Sequence, residues 1–228
     1  MSDTRNRSEE KNIRIVLSRF ISHYRMVFIV ILVIIVATLI AVGVYSTVNQ
    51  KRVENSAVAA EELQELYEEW NSAADDEKAD LRSDLESKAA DALKKFKRMY
   101  AAQRAYMVLG QLHYQSEEYD AAVENYESLA DSFPKSYLAP ISLMSAAAAW
   151  EQLQDYESAI AAYRRVSDEY SDSFPSVAYA LVSIGRLYER MGQTDEAVEA
   201  YNEVVDNFSG SSWTNIAQDR IIYLETAN

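Results

Sequence analysis

The sequence predicts an all-α protein in which one N-terminal transmembrane helix precedes an α-solenoid of stacked helical hairpins. Two observations carry that expectation. One small spacing occurs three times: Ala122-x3-Tyr126, Ala159-x3-Tyr163 and Ala197-x3-Tyr201 lie 37 and then 38 residues apart. The stretch from Met26 to Tyr45 holds no charge, and fourteen of its twenty residues are Val, Ile, Leu or Phe. No segment carries a convincing strand pattern.

The repeat extends beyond the alanine–tyrosine pair. Thirteen residues before each alanine, an apolar residue is followed by a small one: Leu109-Gly110, Ala146-Ala147 and Ile184-Gly185. Three residues later comes a ring: His113, Trp150 and Tyr188. In the first helix of each hairpin these residues fall on one face. Gly110, Ala147 and Gly185 carry little or no side chain, so the next helix approaches the backbone closely. In the second helix the alanine provides a matching shallow spot, and the tyrosine one turn later fills the space beside it. The short turns Ser116-Glu117-Glu118, Leu153-Gln154-Asp155 and Gly192-Gln193-Thr194 force antiparallel neighbours. Each hairpin keeps a second apolar face that only another hairpin covers, so about three repeats are needed for stability.

These residues resemble the tetratricopeptide repeat (TPR) family. The first unit matches best, with Tyr106, Leu109, Gly110 and His113, then Ala122, Tyr126 and Pro134. In the second, Leu143, Ala146, Ala147 and Trp150 precede Ala159 and Tyr163; in the third, Leu181, Ile184, Gly185 and Tyr188 precede Ala197 and Tyr201. Neither ends in the proline. The residues beyond the family's usual period of about 34 fall in the linkers 131–136 and 170–175, whose stretched form resembles that of bacterial envelope TPR proteins.

A degenerate hairpin is expected before the three clear repeats, with helices over 54–73 and 79–100. Leu63, Leu66, Tyr67 and Trp70 stand at helical spacing in the first, and Ala92-x3-Phe96 echoes the repeat in the second. The polar linker Asp75-Asp76-Glu77-Lys78 breaks the phase between them. At the other end, residues 212–226 read as a capping helix started by Ser211 or Ser212. Its Trp213, Ile216, Ala217, Ile221 and Leu224 are expected to cover the end of the stack.

As a helix, residues 26–45 span about 30 Å, the thickness of a bilayer's hydrocarbon core. The run exceeds the apolar region of a cleaved signal peptide, and Ala41 and Gly43 lie inside it, so a retained signal anchor is expected. With no cysteine, a lipoprotein anchor is excluded. Six basic residues (Arg5, Arg7, Lys11, Arg14, Arg19, Arg25) precede the span and only Lys51 and Arg52 follow it closely. That bias puts the N-terminus in the cytoplasm and the repeats outside the cytoplasmic membrane, in a periplasm where there is one. Ile13, Val16, Leu17, Phe20 and Ile21 share a face that suits the inner membrane surface, or else simply continue the spanning helix. The expected layout is a basic cytoplasmic tail (1–25), the transmembrane helix (26–45), a linker with the degenerate hairpin (46–102), and the repeats with their cap (103–228).

Composition excludes several classes of function. Residues 46–228 carry 16 basic and 33 acidic residues, a net charge of −17, which opposes nucleic acid and anionic lipid. One local exception is the run Lys94, Lys95, Lys97, Arg98, with Arg104 soon after and Glu86 and Asp91 as pairing partners. It reads either as cations at a helix C-terminus or as an anion or partner site. Zero cysteines remove disulfides, thiol catalysis and zinc–thiolate sites. His113 stands in the ring slot of its repeat and reads as a packing residue, not a base. Ser209-Gly210-Ser211-Ser212 lacks the strand–turn–helix setting of a nucleophile, and Asp75-Asp76 and Glu117-Glu118 read as turn or first-turn residues. Catalysis, a metal and a cofactor are not expected.

The family resemblance implies a ligand groove lined by the first helix of each repeat. On this sequence that gives Arg104, Met107, Gln111 and Tyr114; then Met144, Ser145, Ala148 and Glu151; then Tyr179, Val182, Arg186 and Arg190. This mixture suits a semi-apolar segment with some acidic character, and charge reversal at Arg186 and Arg190 is expected to weaken capture without unfolding. The whole layout resembles the membrane-anchored ancillary subunit of the bacterial Sec translocon. It implies a non-enzymatic adaptor linking translocon subunits to periplasmic chaperones or exported chains. A second reading, similar to soluble periplasmic TPR coordinators, is a scaffold for outer-membrane assembly or for cell-wall and division complexes. Ala37 and Ala41, one turn apart in the span, suit a homodimer.

Overall fold

The computed structural model of the chain describes the backbone of residues 3–226 and, in the first helix, side chains 14–15, 18–20, 22–27 and those from 29 onward. Among the described residues every regular element is helical. Helix α1 runs Asp3–Ser72, a stretch with no proline and with Gly43 as its only glycine, so nothing in it interrupts the hydrogen-bond ladder. The chain divides into two compact units, residues 1–54 and 55–228. In the first, the large apolar side chains described between Met26 and Val48 are all exposed, and this one helix is long and apolar enough to cross a membrane. Of the expected interfacial face only Phe20 is described; Ile13, Val16, Leu17 and Ile21, like Arg5, Arg7 and Lys11, lie outside the described side chains.

The second unit is the solenoid. The end of α1 pairs with α2 (Asp75–Lys95), and three hairpins follow: α3 (Tyr100–Gln115) with α4 (Tyr119–Ser132), α5 (Leu138–Gln152) with α6 (Tyr156–Tyr170), and α7 (Val177–Arg190) with α8 (Thr194–Asn207). Helix α9 (Ser212–Thr226) closes the stack. The repeat spacing thus marks its hairpins correctly, while the degenerate one differs at its joints. Asp75, Asp76 and Glu77 form the first turn of α2, where acids favour the helix dipole, and only Ala73-Ala74 separates the helices. Helix α2 ends at Lys95 because buried Phe96 leaves helical geometry, its N–H donating to the Ala92 carbonyl at 2.8 Å.

The contact between the helices of a hairpin is made by a ring. A Cβ placed on Gly110 would meet Tyr126 Cε1 at 2.5 Å, and one on Gly185 would meet Tyr201 Cε1 at 2.6 Å. It is therefore the tyrosine ring, more than the approaching backbone, that fills the space expected above the small residue. Tyr126, Tyr163 and Tyr201 are all buried, together with Ala122, Ala159 and Ala197.

Each turn repeats the same closure. Glu118 N–H donates to the His113 carbonyl (2.9 Å) and Glu117 N–H to Tyr114 (3.1 Å); Asp155 and Gln154 bond Trp150 and Glu151 alike (both 3.1 Å), as do Gln193 and Gly192 with Tyr188 (2.9 Å) and Glu189 (3.0 Å). This paired closure places the residue after the cap in left-handed geometry, and Glu117 (φ 61), Gln154 (φ 60) and Gly192 (φ 75) occupy it. Only the third is the glycine that conformation favours.

Two joints tie the ends. Arg82 of α2 donates to both oxygens of Glu118 (2.8 and 2.7 Å), and His113 Nδ1 lies 2.6 Å from Glu118 Oε2, so the packing histidine also anchors a turn. At the far end Ala217 and Thr214 are buried and Trp213, Ile221 and Leu224 pack on the core, but Ile216 is exposed. Thr214, one turn before residue 217 on the inner face, takes the covering place expected of Ile216. Ser211 caps the helix, accepting from Trp213 N–H at 3.3 Å.

Three stability effects are expected in denaturant titrations of the detergent-solubilised chain. Gln154→Gly relieves about 1–2 kcal/mol of left-handed strain against about 0.5–1 kcal/mol of added chain entropy, so it should stabilise by about 0.5–1 kcal/mol. Gly185→Ala should destabilise by about 1–3 kcal/mol, because the Tyr201 ring has nowhere to retreat. Hydrogen bonds from Arg82 and His113 hold the Glu118 carboxyl down to about 2. Its contribution is therefore complete above the ordinary carboxylate range and disappears as pH falls from there toward 2; Glu118→Gln should flatten that acid-side slope.

Candidate functional site

The first helices of the hairpins carry the family's expected ligand residues, and the structure sorts these into three groups. Met107 and Val182, 4% and 8% exposed, are buried in the helix–helix core. They face neighbouring hairpins and offer no surface to a partner. Glu151 and Arg186 form a joint: Arg186 donates to both Glu151 oxygens (2.7 and 2.8 Å), and the Tyr163 hydroxyl donates to Glu151 Oε1 at 3.0 Å. The Glu151 side chain is only 14% exposed, so Arg186 serves as its buried-side counter-charge as much as a surface cation. Arg190, by contrast, is exposed and stacks its guanidinium 4.9 Å from the Tyr156 ring centroid.

The same joint recurs one hairpin later. Tyr201 hydroxyl donates to Glu189 Oε1 at 2.6 Å, and Arg220 of α9 grips both oxygens of Glu189. Burial pushes the Tyr163 and Tyr201 hydroxyls well above the usual tyrosine range. Burial also pushes Glu189 up, but hydrogen bonds from Arg220 and Tyr201 prevail and leave it below the usual carboxylate range. In the first hairpin Tyr114 stands where Glu151 and Glu189 stand later, and it meets Tyr119 edge-on at 5.4 Å. Two other expected groove residues lie nearby on α3: Arg104 donates to Gln64 (3.0 Å) and to the Tyr100 hydroxyl, and the buried Gln111 Oε1 has no partner among the described residues.

Of the remaining expected residues, Met144 packs against the core, Ala148 is half-buried, and Ser145 Oγ donates to the Ile141 carbonyl at 3.1 Å. Tyr179 is exposed and lies 4.9 Å from the Trp213 ring.

Tyr179 belongs to a row that the sequence reading missed. Ile141, Tyr179 and Ile216 occupy one repeat position, 38 and 37 residues apart, and all three are exposed large apolar side chains. Arg104 holds that position in α3. One turn earlier the exposed Tyr100 and Tyr137 share a second repeat position, with Tyr137 64% exposed. A hydrogen bond from Tyr137 lowers the Tyr100 pKa, with Arg104 acting in the same direction. Tyr137 and Ile141 also line a cleft of about 560 Å³ with Pro140, Tyr170, Phe174 and Pro175. Equivalent positions recur along a stack of hairpins, so these side chains form a row of exposed apolar and aromatic residues at repeat spacing. The signal was available as the same 37–38 residue period, applied to non-core positions.

The fold and this row together define a helical-repeat protein of the kind that binds other proteins through its surface. The sequence pattern of the tetratricopeptide repeat-like domain family matches residues 18–224, and the chain belongs to that family. Solved structures agree on the fold. A Podosopora anserina putative kinesin light chain with nearly identical TPR-like repeats superposes with a TM-score of 0.53 at 15% identity, covering 74% of this chain and 88% of that one. BtubC (BKLC) from P. vanneervenii gives 0.51 at 16% identity, covering 78% and 83%. No curated protein sequence matches.

The two arginines should separate on reversal. Arg186→Glu sets a second acid against Glu151 and is expected to cost about 1–3 kcal/mol of stability, whereas Arg190→Glu should change it by less than about 0.5 kcal/mol. Urea titration of the two variants checks this, and equal effects would remove the joint from the account.

Proposed function

We propose that this chain is a non-enzymatic, membrane-anchored adaptor whose repeats hold an extended, partly apolar polypeptide segment. The observation that carries the reading is the exposed row on the first helices, Tyr100 and Tyr137 beside Ile141, Tyr179 and Ile216. Rigid aromatic side chains supply contact area at low entropic cost, and they are the residues that dominate protein interfaces. The apolar run in α1 acts as the anchor, and six basic residues before it against two after it favour a cytoplasmic N-terminus with the repeats outside. The family match begins at residue 18 and so includes that run together with the repeats.

Anchoring raises the local concentration of the repeats at the membrane, so contacts too weak for a soluble protein suffice there. The partners proposed are Sec translocon subunits, periplasmic chaperones or exported chains passing from one to the other. Pairing of two copies through Ala37 and Ala41 would present two such rows.

A photo-crosslinking amino acid at Tyr137 or Ile141, activated in intact membranes and followed by mass spectrometry, tests the reading. Adducts with channel subunits, chaperones or exported chains are expected. Adducts confined to outer-membrane assembly or division proteins would move the protein to the scaffold reading. Tyr137→Ser with Ile141→Ser should lower adduct yield at neighbouring row positions about tenfold or more and leave the circular dichroism spectrum unchanged. Undiminished yield would exclude the row.

A further inference from the structure

We propose a second docking site, separate from the row, on the degenerate hairpin of α1 and α2: the cation run 94–98 beside a cleft floored by Leu63 and Phe96 takes an acidic polypeptide segment that carries an apolar side chain.

Residues 46–228 hold 33 acids for 16 bases, so acids are plentiful, and four clustered cations without one are a local departure from that background. Lys78, Arg82, Lys88, Arg164, Arg165, Arg186 and Arg220 all sit in ion pairs. Arg190 covers a ring, and Arg104 donates to Gln64 and Tyr100. Apart from Lys135, the other bases of the second unit are Lys94, Lys95, Lys97 and Arg98, which are all exposed and form no ion pair among the described residues; Lys95 Nζ lies 5.3 Å from the Phe96 ring centroid at the cleft. Glu86, one of the acids available to them by sequence, is taken by Arg82 at 2.7 Å. A favourable helix dipole accounts for Lys94 and Lys95 in the last turn of α2, but Lys97 and Arg98 lie in the connection beyond it.

The second observation is a cleft at the same place. It encloses about 570 Å³ between α1 and α2, lined by Ala59, Leu63, Ala92 and Phe96 on its apolar side and by Lys94, Lys95, Asp91 and the Lys88–Glu62 ion pair (2.7 Å) on its polar side. Glu62 is balanced by Lys88 and Asp91 offsets one cation, so Lys94, Lys95, Lys97 and Arg98 leave the apolar floor beside a net positive charge, which fits a side chain such as leucine on a segment whose neighbours are aspartate or glutamate. A flat anionic bilayer fits less well. A membrane surface meets the whole domain, whose net charge of −17 repels it, while a single segment responds only to charges within a Debye length of about 8 Å.

The test uses the full chain in zwitterionic nanodiscs and a fluorescent decapeptide of Asp and Glu with two central leucines. Anisotropy should report binding that weakens as salt rises, and a peptide with Lys in place of each acid should fail to bind. Lys94→Glu/Lys95→Glu and Lys97→Glu/Arg98→Glu should each reduce affinity at least tenfold, the first with a small drop in melting temperature from the reversed helix-dipole contact and the second with none, while Tyr137→Ser with Ile141→Ser leaves the affinity intact. Four results would overturn the proposal: no binding, equal binding of both peptides, binding insensitive to the reversals, or binding of phosphatidylglycerol vesicles in place of the acidic peptide. Loss through the row variant alone would instead assign the peptide to the row.

Discussion

A tyrosine ring lying on a residue without bulk is the contact on which the rest of the solenoid depends. Tyr126 over Gly110 and Tyr201 over Gly185 leave no room for even a Cβ. Close approach at that point brings the two helices of a hairpin near enough for Ala122 and Ala197 to be wholly buried between them. The middle hairpin has Ala147 at the same place, and its core is just as closed, with Ala147 and Ala159 both fully buried. The constraint is therefore on the pair, small residue and ring, and the middle hairpin meets it with a methyl at the small position.

The same tyrosines carry order from one hairpin to the next. A buried hydroxyl needs a partner, and in the last two hairpins it finds a glutamate on its own first helix. That glutamate in turn draws an arginine from the following first helix, Arg186 for Glu151 and Arg220 for Glu189. Packing within a repeat and register between repeats are thus joined through one carboxylate. Tyr114 replaces the acid in the first hairpin. There Gln103 and Glu127 make the link to the following hairpin, accepting from Ser136 and Trp150, while Arg82 and Glu118 tie the turn to the hairpin before. A stacked array tolerates such exchange because each repeat answers only to its neighbours.

The hairpins were legible because core positions are constrained by a strict period, and Ala-x3-Tyr with its preceding small residue fixes both helices and their separation. The joints of the degenerate hairpin were not, because acids read as a polar linker are equally good first-turn residues, and only the burial of Phe96 decides where α2 stops. Left-handed geometry was visible at Gly192 but not at Glu117 or Gln154, where turn closure overrides residue preference. Surface exposure of the expected groove residues was the least legible. A family groove carried over by helix position places Met107, Val182, Glu151 and Arg186 on a surface, yet the first two pack inward and the last two satisfy each other. Periodicity in exposed residues such as Ile141, Tyr179 and Ile216 is the better guide, because solvent gives no reason for large apolar side chains to recur there.

Charge separates the surfaces that remain. An acidic solenoid in which half of the bases are already ion-paired presents little general attraction to anything anionic, so local departures from that background are the places where recognition is proposed. Two exist on the second unit, and their chemistry differs: a row of rings and aliphatic side chains with little charge, and a compact cationic run beside an apolar cleft. One ligand segment would need neutral and acidic stretches in fixed register to satisfy both. Two ligands need no such coincidence. The proposed adaptor role calls for two different partners, and unlike surfaces would limit competition between them, since the acidic residues suited to the cationic run find no counter-charge along the aromatic row.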